Sequence, residues 1–516
     1  MALAATAASE TAWTVCERLL RQTRAAVPSP ALAADLADAA LTAGREAEAL
    51  PVVAAAARRH DVAALWQWLG LLQRALDRQE DAIAAFQKAV QRDPRNARAM
   101  LGLAQSAFDA GLPASPLFER AALLAPTDSA TLRGRADAHV AEGRPDRALA
   151  ELEVLLGANP GWIDGHRHIA HIRWMTGDRA GFLDALEGSL AQRPGHVALW
   201  QLGLDLLIEA RLTERASAWL ARARHAVGPA PLFDAYAAII AGELGADADP
   251  LFAALSPIGD IGLAVYHVRH LLRSGRAELA RAAAERWLDH PDARLMLPYA
   301  ALAWRQLGDP RVEWLEGDAR LVGVYDIADQ LPPLDALAAH LGALHAHGSE
   351  QLDQSVRGGT QTVGPLLSRI EPIIQATRRA IIAAVESHIA QLPPRDPRHP
   401  TLAPDRDAPV RFAGSWSVRF AGAGHHASHL HTEGWLSSAL YVAVPDAAAR
   451  GPAPAGWLTL GEAPAELGLD LAPTRMIEPK PGRLVLFPAT MWHGTRPFAA
   501  GERMTIAFDV ARPIGR

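Results

Sequence analysis

"ALWQWLGLLQRALDRQEDAIAAFQKAVQRDPRN", from Ala64 to Asn96, contains two helical phrases and a stop. Trp66, Leu69 and Gly70 open the first phrase. In the second, Ala82, Phe86 and Ala89 recur at steps of four and three and so share one helical face. Pro94 closes the unit, since proline lacks an N–H and disfavours helix in the residue before it. Further closing prolines stand at Pro126, Pro160 and Pro194, at spacings of 32, 34 and 34 residues. A fixed period of this size predicts stacked helix pairs. The shorter spacing follows from a compressed turn near "GLPASP" (residues 111–116).

Position for position, the unit resembles the tetratricopeptide repeat (TPR). Small residues such as Ala82 and Ala148 let two helices approach, while Phe86, Leu152 and Leu220 fill the space between repeats. A degenerate repeat is expected over residues 29–62 and another from Val197 to Gly228. Helical periodicity continues to about residue 315, so residues 1–315 are expected to form a TPR-like solenoid.

The whole chain has 516 residues, half of them hydrophobic, which is too long for one ordinary core. A net charge of −6 argues against a general nucleic-acid binder, which would carry a basic stripe. Lys88 and Lys480 are its only lysines, so nearly all positive charge is arginine. The single cysteine, Cys16, rules out a disulfide framework within the chain and suits a reducing cytoplasm. No apolar run is long enough to span a bilayer, so no membrane partner is expected.

The texture changes after residue 316. "LVGVYDIADQLPPLDALAAHL" (residues 321–341) reads as a short strand, a loop and a helix, and "SRIEPIIQATRRAIIAAVESHIAQL" (residues 368–392) as a helix. From Val410 onward short alternating strands follow one another: "VRFAGSWSVRF", "LSSALYVAVP", "GWLTLGEA", "RLVLFPA" and "MTIAFDVARP". Such strands, separated by turn residues, predict a barrel or sandwich. The expected organisation is α+β and multidomain, a helical solenoid over residues 1–315 and a second domain over residues 316–516, with its β core at about 408–516.

The chemistry concentrates at "HLHTEGWLSSALYV" (His429–Val442). In extended chain, residues two apart share a face, so His429, His431 and Glu433 would point the same way. "FPATMWHGTRPF" supplies His493 after a strong strand, Arg503 stands ten residues beyond it, and Thr505 follows at +2. Two histidines and a carboxylate form the facial triad of non-haem Fe(II) sites, which leaves coordination positions open.

Together with "QSVRGGTQT" (Gln354–Thr362) and "GSWSVRF" (Gly414–Phe420), these stretches resemble the bacterial 2OG-Fe(II) oxygenases that carry N-terminal TPRs. The resemblance covers roughly residues 325–516, and more loosely 29–315 for the repeats. It implies a double-stranded β-helix (jelly roll) using Fe(II), 2-oxoglutarate and O2, with ascorbate as a reductant. It implies catalysis at His431, Glu433 and His493, and metal ligation by these three. The narrower family shows an H-x-H pair, so His429, His431 and His493 form the alternative ligand set. Arg503 would pair with the distal carboxylate of 2-oxoglutarate through its planar fork, helped by Thr505, with Tyr441 as a further candidate.

The first functional reading is a hydroxylase of a protein or peptide recruited in the solenoid groove. A small-molecule oxygenase whose repeats serve assembly is the second reading, and a non-catalytic scaffold the third. The "RGGTQT" glycines suit a turn near the active-site mouth rather than a phosphate loop, and Arg419 would face the barrel interior if Ser415 and Ser417 do.

Overall fold

The computed structural model describes residues 2–23, 26–347, 352 and 355–513, with side chains from Ala12 onward. Helices Ala63–Ala75 and Gln79–Arg92 form the pair read from the sequence. The pairs Ala97–Asp109/Ser115–Leu124, Ser129–Ala141/Pro145–Ala158, Ile163–Met175/Asp184–Gln192 and Val197–Glu209/Thr213–Val227 follow. Helices Pro30–Ala43 and Glu46–His60 precede them, and the array runs on to helix Leu297–Leu307. Each closing proline lies two residues past a helix end, at Arg92, Leu124, Ala158 and Gln192. Two of the helices that follow open on capping side chains: Asn96 Oδ1 accepts from Ala99 N at 3.0 Å, and Asp128 Oδ2 from Thr131 N at 2.8 Å.

Glycines on first helices admit aromatics from second helices. Phe86 is fully buried, and a Cβ at Gly70 or Gly102 would meet its ring at 2.9 and 2.4 Å. Gly134 against Phe118 and Gly203 against Trp219 repeat the device, each at 2.3 Å. Gly70 therefore stands where the helices must nearly touch, which explains its place in the opening pattern.

The strands are β1 (Gly323–Asp326), β2 (Val356–Arg357), β3 (Thr360–Gln361), β4 (Phe412–Phe420), β5 (His425–His426) and β6 (Gly434–Ala443), followed by β7 (Leu458–Leu460), β8 (Arg475–Ile477), β9 (Arg483–Pro488), β10 (His493–Thr495) and β11 (Arg503–Ala511). An antiparallel sheet in the order β1-β9-β6-β11-β4-β3 is accompanied by a smaller one, β10-β7-β8, and by the pair β2-β5. Strand β11 shows the period of two clearly. Met504, Ile506, Phe508 and Val510 pack with Ile381 and Val385 of helix Pro372–Gln391. Arg503, Thr505, Ala507 and Asp509 face a cavity on the other side. This is the double-stranded β-helix arrangement with helices outside.

The C-terminal half lies along the solenoid of the same chain. Several of its contacts fall on or beside the turns between paired helices. Arg411 pairs with Glu46 (Nη1–Oε1 2.9 Å), Arg378 with Asp77 (3.1 Å) and Arg211 with Glu466 (3.3 Å). Ile370 N donates to Ala110 O, and Trp492 Nε1 to Pro298 O. Trp492, Ala463 and Leu467 share a buried cluster with Met296, Leu302 and Trp304. Along these turns the solenoid face is occupied by the C-terminal half, and clefts remain between the two. No helix among the described residues is long and apolar enough to cross a membrane.

Candidate active site

His429 and His493 oppose each other across an antiparallel bridge, with N–H···O bonds of 2.9 and 3.1 Å in both directions. Directly opposed residues project to the same side, and the two rings lie 4.1 Å apart. His431, two residues on, keeps the same face, at 4.9 Å from His429 and 5.1 Å from His493. One ring nitrogen from each of the three lies within 4.8 Å of the others.

The second nitrogen of each ring is already engaged. Nδ1 of His429 meets Ala427 O at 2.9 Å, Nδ1 of His493 meets Met491 O at 3.0 Å, and Nδ1 of His431 meets Asp509 Oδ2 at 2.7 Å. These acceptors hold the Nδ1–H tautomer and leave Nε2 as the ligating atom, the usual outer-shell arrangement of metal-binding histidines. Burial, reinforced by His431, pushes His429 down to about 3. Burial, then His429 and His431, holds His493 well below its ordinary 6.5. Both therefore stay neutral near pH 7, the form that binds metal.

Glu433 does not join them, against the preferred triad. Its side chain is 81% exposed and pairs with Arg294 of the solenoid at 3.2 Å. A turn causes the departure. Residues 432–433 leave the extended conformation, Gly434 N closes on His431 O at 3.1 Å, and the alternation that would aim Glu433 inward is broken. The carboxylate near the histidines is Asp509, buried on β11, with Oδ2 on His431 and Oδ1 without a partner. Sequence reasoning missed it, although the step of two from Arg503 and Thr505 passes through it.

Arg503 is 2% exposed on the cavity wall. Its Nη1 donates to Gly456 O at 3.2 Å, its Nε has no partner, and no carboxylate pairs with it among the described residues. Burial disfavours its charge, so the position suits an incoming carboxylate. Thr505, also buried, shares the wall. Tyr441 is buried with its ring 5.2 Å from the Arg503 guanidinium, behind the wall.

The cavity measures about 350 Å³. Trp416 stacks on His431 at 5.5 Å, and Phe487 and Leu458 add apolar wall. His426 lies on β5 at the cavity, where the Ser355 hydroxyl bridges its Nδ1 and His429 Nε2, both at 3.2 Å. Arg357 of the glycine turn also lines the cavity, while Gln354 lies outside the described residues. Arg419 turns outward to Glu502, and Ser417 bonds His345 on the helix side, so that face of β4 is not the interior. Glu209 and Arg211 complete the wall from the solenoid, and nothing in the spacing of the sequence connects them with the histidines. His168 and His171 lie on helix Ile163–Met175 and approach Asp137 and Glu209 respectively.

The family described as "Putative 2OG-Fe(II) oxygenase" matches residues 414–509, a span holding all three histidines, Arg503, Thr505 and Asp509. Among solved structures, a tetratricopeptide protein with an unusual peptide-binding site, YrrB, is similar at 17% identity and a TM-score of 0.28, over 36% of this chain and 95% of that one. A Pseudomonas putida prolyl-4-hydroxylase is similar at 18% identity and a TM-score of 0.26, over 38% and 94%. A tetratricopeptide protein from Parabacteroides merdae is similar at 14% identity and a TM-score of 0.29, over 56% and 99%. No curated protein matches the chain.

Proposed function

We propose that this chain, a TPR-like solenoid followed by a 2OG-Fe(II) oxygenase domain, is a dioxygenase that hydroxylates a protein or peptide held between its two halves. The reading is carried by three imidazoles with anchored Nδ1 atoms and converging Nε2 atoms. In this proposal His429, His431 and His493 hold Fe(II), and Glu433 is a mouth residue. Bound iron would supply dioxygen activation coupled to oxidative decarboxylation of 2-oxoglutarate.

The protein's own residues do the rest. Arg503 binds the distal carboxylate of 2-oxoglutarate, and Thr505 adds a hydrogen bond. Asp509 fixes the His431 ring and favours its Nδ1–H form. Trp416, Phe487 and Leu458 give the cavity apolar wall, which strengthens the polar contacts beside it. A polypeptide substrate is supported by the cleft on both sides of the site. The cavity shares Trp416 with a chamber of about 420 Å³, and shares Leu430 and Thr432 with one of about 530 Å³.

The test is Co(II) binding and succinate release from 2-oxoglutarate by the full chain with Fe(II) and ascorbate. His429→Ala, His431→Ala and His493→Ala are each expected to lose most metal affinity, and Glu433→Ala to keep it. Loss in Glu433→Ala equal to that in the histidine variants would sink the three-histidine set. Arg503→Ala is expected to weaken 2-oxoglutarate binding by about 2–4 kcal/mol, roughly 30- to 1000-fold. Unchanged binding removes that assignment.

A further inference from the structure

Beyond Leu430 and Thr432 the histidine cavity opens into the chamber of about 530 Å³. One side of this chamber belongs to the solenoid and the other to the oxygenase. Ile208, Ile239, Val265 and Leu295 from the solenoid face Leu430, which stands between His429 and His431 in the chain, with Tyr266 beside them. The space thus has an apolar wall set among charged side chains, and it shares Leu430 and Thr432 with the histidine cavity.

Its charges are already matched. Arg269 grips both oxygens of Glu243 at 2.7 and 2.9 Å, and Arg273 reaches the same carboxylate at 3.3 Å. Arg211 pairs with Glu466 at 3.3 Å, and Glu209 with Arg167 at 2.9 Å. A charged ligand group entering here would be desolvated without a free counterion, whereas an apolar group would exchange water for the isoleucine and tyrosine wall. The volume is that of a small-ligand pocket, far larger than one water site.

We infer that this chamber is a specificity pocket for one bulky, uncharged apolar side chain of a polypeptide substrate, close in sequence to the residue presented to the histidines. The inference rests on the oxygenase reading above and goes past it by assigning what the substrate must carry. The solenoid then acts as one wall of the pocket. Leu, Ile, Phe or Tyr fits it, and Asp, Glu or Lys is rejected.

The experiment uses the full-length protein with Fe(II), ascorbate and 2-oxoglutarate, and a synthetic peptide library of mixed sequence. Mass spectrometry reads peptides that gain one oxygen, and succinate is followed in parallel without peptide. Oxidised peptides are expected to share a bulky apolar residue at one fixed offset. Changing that residue to Asp should lower kcat/KM about 10- to 100-fold. Thr213→Trp and Val265→Trp, two independent fillings of the chamber from the solenoid side, should raise KM for the selected peptides. Co(II) binding and peptide-free succinate formation should stay as in the wild type.

Oxidised peptides with no apolar preference at any offset would overturn the inference. So would an unchanged KM in both folded filling variants. Succinate release with no peptide oxidised overturns the polypeptide class and leaves the oxygenase reading standing. No succinate and no Co(II) binding by the wild type brings down both.

Discussion

Asp509 acts through His431. Its Oδ2 accepts from the His431 Nδ1–H at 2.7 Å, while the Trp416 ring covers the same imidazole at 5.5 Å. Removing a carboxylate from behind a ligating histidine costs roughly 10- to 100-fold in metal affinity. Asp509→Ala is therefore expected to lose Co(II) affinity by that factor, with partial recovery in Asp509→Asn, which keeps an acceptor oxygen. Titration of Co(II) absorption checks this, and wild-type affinity in the Ala variant would remove the orienting role. The histidines and Arg503 were legible as residue types at telling spacings. Glu433 misled because period-two reasoning assumes an unbroken strand, and the turn at residues 432–433 is a local choice that the spacing does not reveal. Asp509 was on the correct face of a strand already recognised, two steps of two beyond Thr505.

At the scale of elements, the solenoid depends on glycine where two helices cross. The Phe86 ring is wedged between Gly70 and Gly102, so it cannot retreat from a methyl at either. Gly102→Ala would gain about 1 kcal/mol of helix propensity but overpack the contact by roughly 1–3 kcal/mol. A lower thermal midpoint is expected, with recovery in the double variant Gly102→Ala/Phe86→Leu. Thermal unfolding followed by circular dichroism checks both. In the C-terminal half, helix Pro372–Gln391 buries His388, whose Nδ1 meets the Tyr325 hydroxyl at 2.9 Å. Burial lowers His388 to about 4. The unfolded chain, with histidine near 6.5, binds more protons between these values. The stability contributed by neutral His388 is thus fully present above about pH 6.5 and is lost as pH falls toward 4. The loss amounts to up to about 3 kcal/mol. His388→Leu should flatten this part of the pH–stability curve even though Tyr325 loses its partner; an unchanged slope would contradict it.

For the molecule as a whole, docking of the C-terminal half on the solenoid is held partly by a buried ion pair. Glu46 is 3% exposed and pairs with Arg411 at the edge of β4. Removing one partner of a buried pair leaves an uncompensated charge, at a cost of about 3–5 kcal/mol. Arg411→Ala is expected to destabilise the full chain by that order, and Arg411→Met with Glu46→Leu to regain most of it. Chemical denaturation of the three proteins separates these outcomes, and equal stability of Arg411→Ala and wild type would show that the pair does not hold the halves together.

Local patterns determined the helix pairs, the succession of strands, the H-x-H pair, the distal histidine and the arginine ten residues beyond it. They could do so because helical and strand periodicity, proline stops and ligand spacing are short-range properties of the chain. Only the tertiary structure decided that Glu433 leaves the histidines, that Asp509 backs His431, and that Glu209 and Arg211 wall the same cavity. These depend on a turn, on the pairing of strands distant in sequence, and on the packing of the C-terminal half against solenoid residues from Gly44 to Arg305. Contacts between residues hundreds of positions apart leave no period in the sequence, so their energetics appear only once the two halves are assembled.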